Sequence, residues 1–238
     1  MGNNMANIHA LIVGAGRGSR FGSALPKQYT TIGNKTILEH SVACLNHECI
    51  ADLTLVIAQD DEIASTLTFD FDKPIYITTG GAERFLSVKA GVEHIMKNGA
   101  SFDDWVLIHD GARPCLPEQD LNNLICVLDG LTDEVGAILA TPVADTLKFV
   151  QDGNIKHTIN RTNLYQAQTP QVFKAGALLA MLDDVCDKGL MITDEASGFE
   201  QLGQMVKIVI GSCQNIKLTY PDDVVMIQAL LGLPFQIT

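Results

Sequence analysis

The sequence predicts an α/β protein with a doubly wound, mostly parallel sheet, from which a β-hairpin arm protrudes. Three observations carry that expectation. From Ile8 to Ala140, short apolar runs alternate with amphipathic helical stretches, the pattern of repeated βαβ units. Several of those runs end in Gly-rich or charged loops, as strands do at the ligand edge of such a sheet. Past that stretch, two β-like runs flank Gln151-Asp152-Gly153-Asn154, a strong hairpin signal.

The elements follow in order. Residues 8–13 form a buried strand that feeds the loop GAGRGSRFGSALPKQ at 14–28. A helix begins near Thr36, where Glu39 three residues on completes a capping box ahead of Ile37, Leu38, Val42 and Leu45. Residues 53–58 are the second strand, 60–67 a short helix, and 75–79 the third strand, closing at Gly80-Gly81. A helix through Phe85, Val88, Val92, Ile95 and Met96 is stopped by Gly99. Residues 105–109 read as a buried fourth strand, 117–128 as a helix ended by Gly130, and 135–140 as another strand.

The hairpin strands are 146–150 and 155–159, and such an insertion either extends the sheet or projects as an arm. Helices return at 174–187 and from Thr193, where Asp194 and Glu195 suit the positive helix end. Short strands at 206–210 and 215–218 lead to a last helix opened by Pro221-Asp222-Asp223. Repeats, low-complexity segments and linkers are absent from the sequence. The expectation is one domain over 1–238, with the arm inserted at about 142–165.

Composition narrows the function. Twenty-eight acidic residues against 16 basic ones give a net charge of −12. That excludes non-specific nucleic-acid binding and adhesion to anionic membranes. Six cysteines without a C-x-x-C pair read as buried thiols in a reducing cytosol. The six histidines show no metal-protease spacing, and no protein-built metal site is expected. The polar start at 1–7, the short apolar run after it and Ala6 at the myristoylation-motif position predict neither a signal peptide nor a lipid anchor. No apolar run nears the ~18 residues of a membrane span. A cytoplasmic protein is expected.

The 14–28 loop carries the first functional signal. Gly14, Gly16, Gly18 and Gly22 let the backbone lie close to a ligand, and successive amides in such a turn make an anion site. Arg17, Arg20 and Lys27 add three cations on an otherwise acidic chain, which favours a polyphosphate over a merely solvated turn. It is not a dinucleotide fingerprint, because Ser19 and Phe21 stand where glycine is required. It is not an ATPase-type loop either, for no Gly-Lys-Ser/Thr triplet occurs.

The sheet rule brings this loop to one edge with GGAER at 80–84 and HDGARP at 109–114. Asp110 and Arg113 sit where site residues belong, although a local ion pair explains them equally well. Arg161 and Lys217 end β-like runs and could clamp a second anion. The Thr193-Asp194-Glu195 stretch reads first as a helix cap. No activated Ser or Cys nucleophile is evident. Cations and glycines without a nucleophile point to phosphoryl or nucleotidyl transfer.

Seven motifs in order resemble those of the 2-C-methyl-D-erythritol 4-phosphate cytidylyltransferases. They are GAGRGSRFG with PKQ, GGAERFLSV, HDGARP, PVADTLK, NRTNLYQAQTPQVF, ITDEAS and NIKLTYPDD, and the match runs from about His9 to Leu231. The resemblance implies a Rossmann-like nucleotidyltransferase fold and transfer of a cytidylyl group from CTP to a sugar-alcohol phosphate, with Mg²⁺ and release of pyrophosphate. It implies that Arg20 and Lys27 stabilise charge at the α-phosphorus, and that Arg161 and Lys217 hold the acceptor phosphate. Asp110, Arg113, Thr146, Thr169 and Thr193 match residues around the sugar alcohol. Gly14, Ala15, Gly16, Gly18, Gly81 and Ser87 fall in the nucleotide-binding stretches, and Mg²⁺ rides on the phosphates.

The resemblance also implies a homodimer whose arm reaches the other subunit's site. Gly14 and Gly111 stand where the family commonly has alanine, and Phe85-Leu86 where it has a more polar pair. Three other readings compete. A ribitol 5-phosphate cytidylyltransferase shares the glycine loop, the TPQ segment and the NIK lysine. A nucleotide-binding regulator without turnover is opposed by the intact cations. A dehydrogenase is opposed by the failed fingerprint and by Ala58-Gln59 where an acidic residue would follow the second strand.

Overall fold

The computed structural model describes residues 6–16 and 25–234. In chain order the strands are β1 Ile8–Val13, β2 Thr31–Ile32, β3 Lys35–Thr36, β4 Ile50–Ile57, β5 Ile75–Thr79, β6 Trp105–Asp110, β7 Glu134–Pro142, β8 Leu147–Gln151, β9 Asn154–Ile159, β10 Tyr165–Lys174 and β11 Met205–Ile210. The α-helices are α1 Ile37–Ala43, α2 Arg84–Lys97, α3 Glu118–Cys126, α4 Ala175–Lys188, α5 Glu195–Gln201 and α6 Asp223–Leu230.

Seven strands form the main sheet in the order β11-β7-β10-β6-β1-β4-β5. Every neighbouring pair is parallel except those made by β10, which runs antiparallel to β6 and β7. Alternate side chains separate two cores, as the period of two in a strand requires. Ala10, Ile12, Leu53, Leu55 and Leu107 pack with Leu38 and Val42 of α1 and with Leu121 and Leu124 of α3. Leu11, Val56, Val106 and Ile108 pack on the other face with Val88 and Val92 of α2 and with Leu178 and Leu182 of α4. Gly91 lets α2 lie close to the sheet, since a Cβ there would sit 2.4 Å from Leu11 Cδ1. The doubly wound, mostly parallel sheet is therefore as the sequence predicts.

Local chemistry explains the element ends. Thr36 Oγ1 accepts from the Glu39 amide at 3.2 Å while Glu39 Oε2 accepts from the Thr36 amide at 2.7 Å, the expected capping box. Asp194 and Ser197 cap α5 in the same reciprocal way. The β8–β9 turn holds Asp152 at φ 52° and Gly153 at φ 75°, the left-handed pair of a type I′ hairpin. Among the described residues this hairpin pairs only with itself, as a separate two-stranded sheet between β7 and β10.

Three expectations need correction, and one strand was not anticipated. Residues 60–67 hold only a 3₁₀ turn, Ala64–Thr66, because Asp61 Oδ1 accepts from the Ile63 and Ala64 amides and fixes a turn instead of a helix. Residues 215–218 form no strand; Asn215 points inward, and the Leu218 amide donates to the Ala112 carbonyl. β10, central to the sheet, had no sequence signal: Gln168, Thr169 and Gln171 are buried yet polar, and Pro170 interrupts the run. A register shift between Ala167 and Gln171 accommodates that proline. The cysteines are all free, but Cys49, Cys126 and Cys213 are exposed and the other three half-buried. Among the described residues no helix is long and apolar enough to cross a membrane.

Candidate active site

β1, β4, β5 and β6 are parallel, so the loops after Val13, Ile57, Thr79 and Asp110 leave the sheet at one edge. There they line a cavity of about 1140 Å³, joined by Lys217 and Thr219 from the segment before α6. That volume exceeds the roughly 300–1,000 Å³ of a single small-ligand site. Gly14, Ala15 and Gly16 form one wall, with Gly81 and Ser87 on the same cavity. The Gly14 amide donates to the Val56 carbonyl at 2.8 Å, rooting the loop on β4. Gln28 Nε2 donates to the Gly14 carbonyl at 2.6 Å and ties the loop's far end to its start. Sequence reasoning passed over Gln28, although its place beside Lys27 in PKQ was visible.

Lys27 opens the 3₁₀ turn Lys27–Tyr29 and lines the cavity. Its Nζ donates to the Leu218 carbonyl at 2.5 Å, 191 residues away in sequence, on the segment whose Lys217 lines the same cavity.

Asp110 ends β6 and collects three cations. Lys217 Nζ lies 2.8 Å and Arg113 Nε 3.4 Å from Oδ2, while Arg84 Nη2 lies 3.5 Å from Oδ1. Burial alone would raise the Asp110 carboxyl, but Lys217, Arg84 and Arg113 outweigh it and hold the group well below the usual carboxylate range. The local Asp110–Arg113 ion pair thus exists, with Lys217 nearer. Arg113 stands behind the cavity, its Nη1 donating to the Asn215 carbonyl at 2.6 Å.

Beneath Asp110 lies a closed hydrogen-bond chain. Burial pushes His109 down to about 4, so the ring is neutral. Its Nε2 faces the Arg113 carbonyl at 3.0 Å and must donate, leaving Nδ1 to accept from the Thr169 hydroxyl at 3.1 Å. Thr169 Oγ1 in turn accepts the Asp110 amide at 3.0 Å, and Asn215 Nδ2 donates to the Thr169 carbonyl at 2.8 Å. Thr169, expected beside the sugar alcohol, is buried under the site and does not line the cavity.

The sequence-derived site residues therefore divide. Gly14, Ala15, Gly16, Lys27, Gly81, Ser87, Asp110 and Lys217 converge on one cavity. Thr193 borders a smaller one of about 270 Å³ with Arg84, Phe85 and Asp194. Thr146 and Arg161 are exposed at the two ends of the arm and line neither cavity. Gly18 and Arg20, with Arg17 and Gly22, lie outside the described residues. Among the described residues no three His, Cys, Asp or Glu side chains cluster to hold a metal ion.

Two residues that the sequence placed only in the GGAER loop and in a helix cap meet at the site. Arg84, the first residue of α2, lines the cavity, and its Nη1 donates to Glu195 Oε1 at 2.5 Å. Glu195, the first residue of α5, is completely buried. Burial pushes the Glu195 carboxyl up, against the opposing pull of Arg84. Burial would lower Arg84, but Glu195 and Asp110 outweigh it and keep the guanidinium protonated.

Comparison with known proteins agrees with this geometry. A family model described as "IspD: 2-C-methyl-D-erythritol 4-phosphate cytidylyltransferase" matches residues 8–233. A protein of that name from Psychrobacter arcticus is 45% identical, covering 98% of this chain and 94% of its own. One from Acinetobacter baumannii is 41% identical, covering 96% and 95%. Among solved structures, a 4-diphosphocytidyl-2C-methyl-D-erythritol synthase superposes with a TM-score of 0.82 at 37% identity, covering 95% of this chain and 99% of the other. The Francisella tularensis 2-C-methyl-D-erythritol 4-phosphate cytidylyltransferase gives 0.80 at 30% identity, covering 94% and 100%. With a glycine loop, two lysines and a cation-bound aspartate lining one cavity, and a family model matching residues 8–233, the chain belongs to the 2-C-methyl-D-erythritol 4-phosphate cytidylyltransferase family.

Proposed function

We propose that CTP lies against the 14–16 loop and 2-C-methyl-D-erythritol 4-phosphate against Asp110 and Lys217, so that cytidylyl transfer takes place across the cavity. An oxygen of the acceptor phosphate attacks the α-phosphorus in line; the bond to the β-phosphate bridging oxygen breaks, giving 4-diphosphocytidyl-2-C-methyl-D-erythritol and pyrophosphate. The observation that carries this reading is that Lys27, held by the Leu218 carbonyl, and Lys217, paired with Asp110, line one cavity. One amine serves the departing pyrophosphate and the other the incoming phosphate. Fixed cations aimed at developing charge need no reorganisation during reaction. Arg20 joins Lys27 in this role on the family's pattern. Gly14, Ala15 and Gly81 offer backbone groups to the cytidine, and Ser87 a hydroxyl.

Mg²⁺ fits this donor set, because it keeps several waters and binds mainly through substrate phosphates. The chain would hold it indirectly, through the triphosphate that the 14–16 backbone and Lys27 bind, and once bound it would neutralise phosphate charge.

We place the protein in the cytoplasm as a homodimer, in which the arm completes the other subunit's site with Thr146 and Arg161. The arm supports this: Phe149, Val150 and Ile155 are exposed, and an isolated two-stranded ribbon is marginal in water.

The test is pyrophosphate release from CTP and Mg²⁺ with 2-C-methyl-D-erythritol 4-phosphate and, in parallel, ribitol 5-phosphate. ATP, GTP and UTP are controls, and Lys27→Ala is the blank. Release with the methylerythritol substrate and CTP alone is expected. Release only with ribitol 5-phosphate would replace the acceptor and keep the chemistry.

A further inference from the structure

We propose that Arg84 is a positioning residue for the acceptor half of the site: anchored by Glu195, it fixes the Asp110 carboxylate so that one oxygen is presented to Lys217. The inference rests on the function proposed above, and assigns roles to two residues outside the family-derived set. Arg84 reaches Glu195 Oε1 with one terminal nitrogen and Asp110 Oδ1 with the other. Lys217 and Arg113 take the opposite oxygen, Oδ2. The carboxylate is thus held from both sides. A lysine has no planar fork and could not span two carboxylates this way.

Three further observations favour positioning over mere packing. Arg84 is the first residue of α2, the end at which the helix dipole disfavours a cation, so local helix preference does not explain it. Glu195 Oε2 is buried without a hydrogen-bond partner, and a buried ion pair is a poor source of stability compared with apolar residues of the same volume. Lastly, Arg84 is shared by the walls of the main cavity and the small cavity at Thr193, so it stands between Asp110 and Thr193, two residues matched to the sugar alcohol. Without Arg84, Oδ1 loses its cation and the carboxylate turns further onto Lys217 and Arg113. Lys217 is then less available to the acceptor phosphate.

The test is the double variant Arg84→Gln/Glu195→Gln, which replaces the ion pair by two amides able to hydrogen-bond. Arg84→Lys, which keeps the charge, is run beside it. Wild type, double variant and Arg84→Lys are compared for thermal midpoint, CTP dissociation constant by calorimetry, and KM for each substrate. The expected result is a double variant with a near wild-type midpoint and CTP affinity, but a KM for 2-C-methyl-D-erythritol 4-phosphate raised about tenfold. Arg84→Lys should show the same selective rise.

An unchanged acceptor KM in either folded variant would overturn the inference, as would equal losses for CTP and acceptor. A wild-type protein silent with 2-C-methyl-D-erythritol 4-phosphate would instead remove the functional reading and this inference together.

Discussion

Lys217 Nζ lies 2.8 Å from Asp110 Oδ2, an ion pair that joins the segment before α6 to the end of β6. The aspartate's two remaining cations, Arg84 and Arg113, depend on it as well. Asp110→Asn should leave three cations around a neutral amide. We expect a loss of roughly 3 kcal/mol in urea unfolding, the scale of breaking a buried pair by removing one partner. Acceptor KM should rise in the same variant, and an Asp110→Asn protein as stable as wild type would show that the cations relax into solvent.

Lys27 makes a different prediction. Lys27→Ala gives up the hydrogen bond to the Leu218 carbonyl at modest cost in stability. Loss of a charge stabiliser at the reacting phosphorus should lower kcat by about 10²–10³. Single-turnover pyrophosphate release distinguishes this from weakened CTP binding.

His109 and His9 titrate with opposite consequences. His109 is pushed down to about 4, so the unfolded chain binds the extra proton between that value and about 6.5. Stability from keeping it neutral is present above 6.5 and is lost as pH falls toward 4, about 3 kcal/mol in all. For His9, burial lowers the pKa, but Asp52 and Asp104 outweigh it and raise the group above 6.5. Its contribution is full below 6.5 and is lost as pH rises through the raised value. Urea midpoints across pH 4–9 should therefore fall on both sides of a maximum near 6.5. Asp52→Asn should flatten the alkaline limb only.

Thr169→Val keeps the shape but removes the donor to His109 Nδ1 and the acceptor of the Asp110 amide. Stability should drop by about 1–3 kcal/mol through unsatisfied buried groups. The variant should also shift the acid limb, which would not move if Thr169 merely filled space.

The shared-site dimer is tested by complementation. Lys27→Ala and Arg161→Ala homodimers should each be inactive or nearly so. Mixed and allowed to exchange, half the dimers carry both chains and one intact site of two, restoring about a quarter of wild-type activity. No recovery after verified exchange would show that each arm serves its own subunit.

What the sequence disclosed was local. The Thr36–Glu39 capping box, the Gly99 stop and the Asp152-Gly153 turn are written in neighbouring residues, and all appear as expected. Loop convergence followed from the parallel order of the first strands. β10 was hidden because its buried glutamines and threonine are satisfied by distant groups: Gln168 by Ser212, Gln171 by Asp194 and Thr169 by His109. The pairing of Arg84 with Glu195 was hidden for the same reason, 111 residues separating a helix-start arginine from its carboxylate. Gly-rich loops advertise themselves, whereas charge pairs assembled by the fold do not.

Because β7 and β10 are neighbours, with Pro142 registered opposite Tyr165, the chain enters and leaves the arm at adjacent points. The arm is in effect a detachable cassette. Excising 143–164 and closing the gap with a tight Asn-Gly turn removes no strand of the main sheet. The main sheet and the arm are thus encoded in separable stretches, so recombination could lengthen, shorten or swap the arm without redesigning the body that bears it.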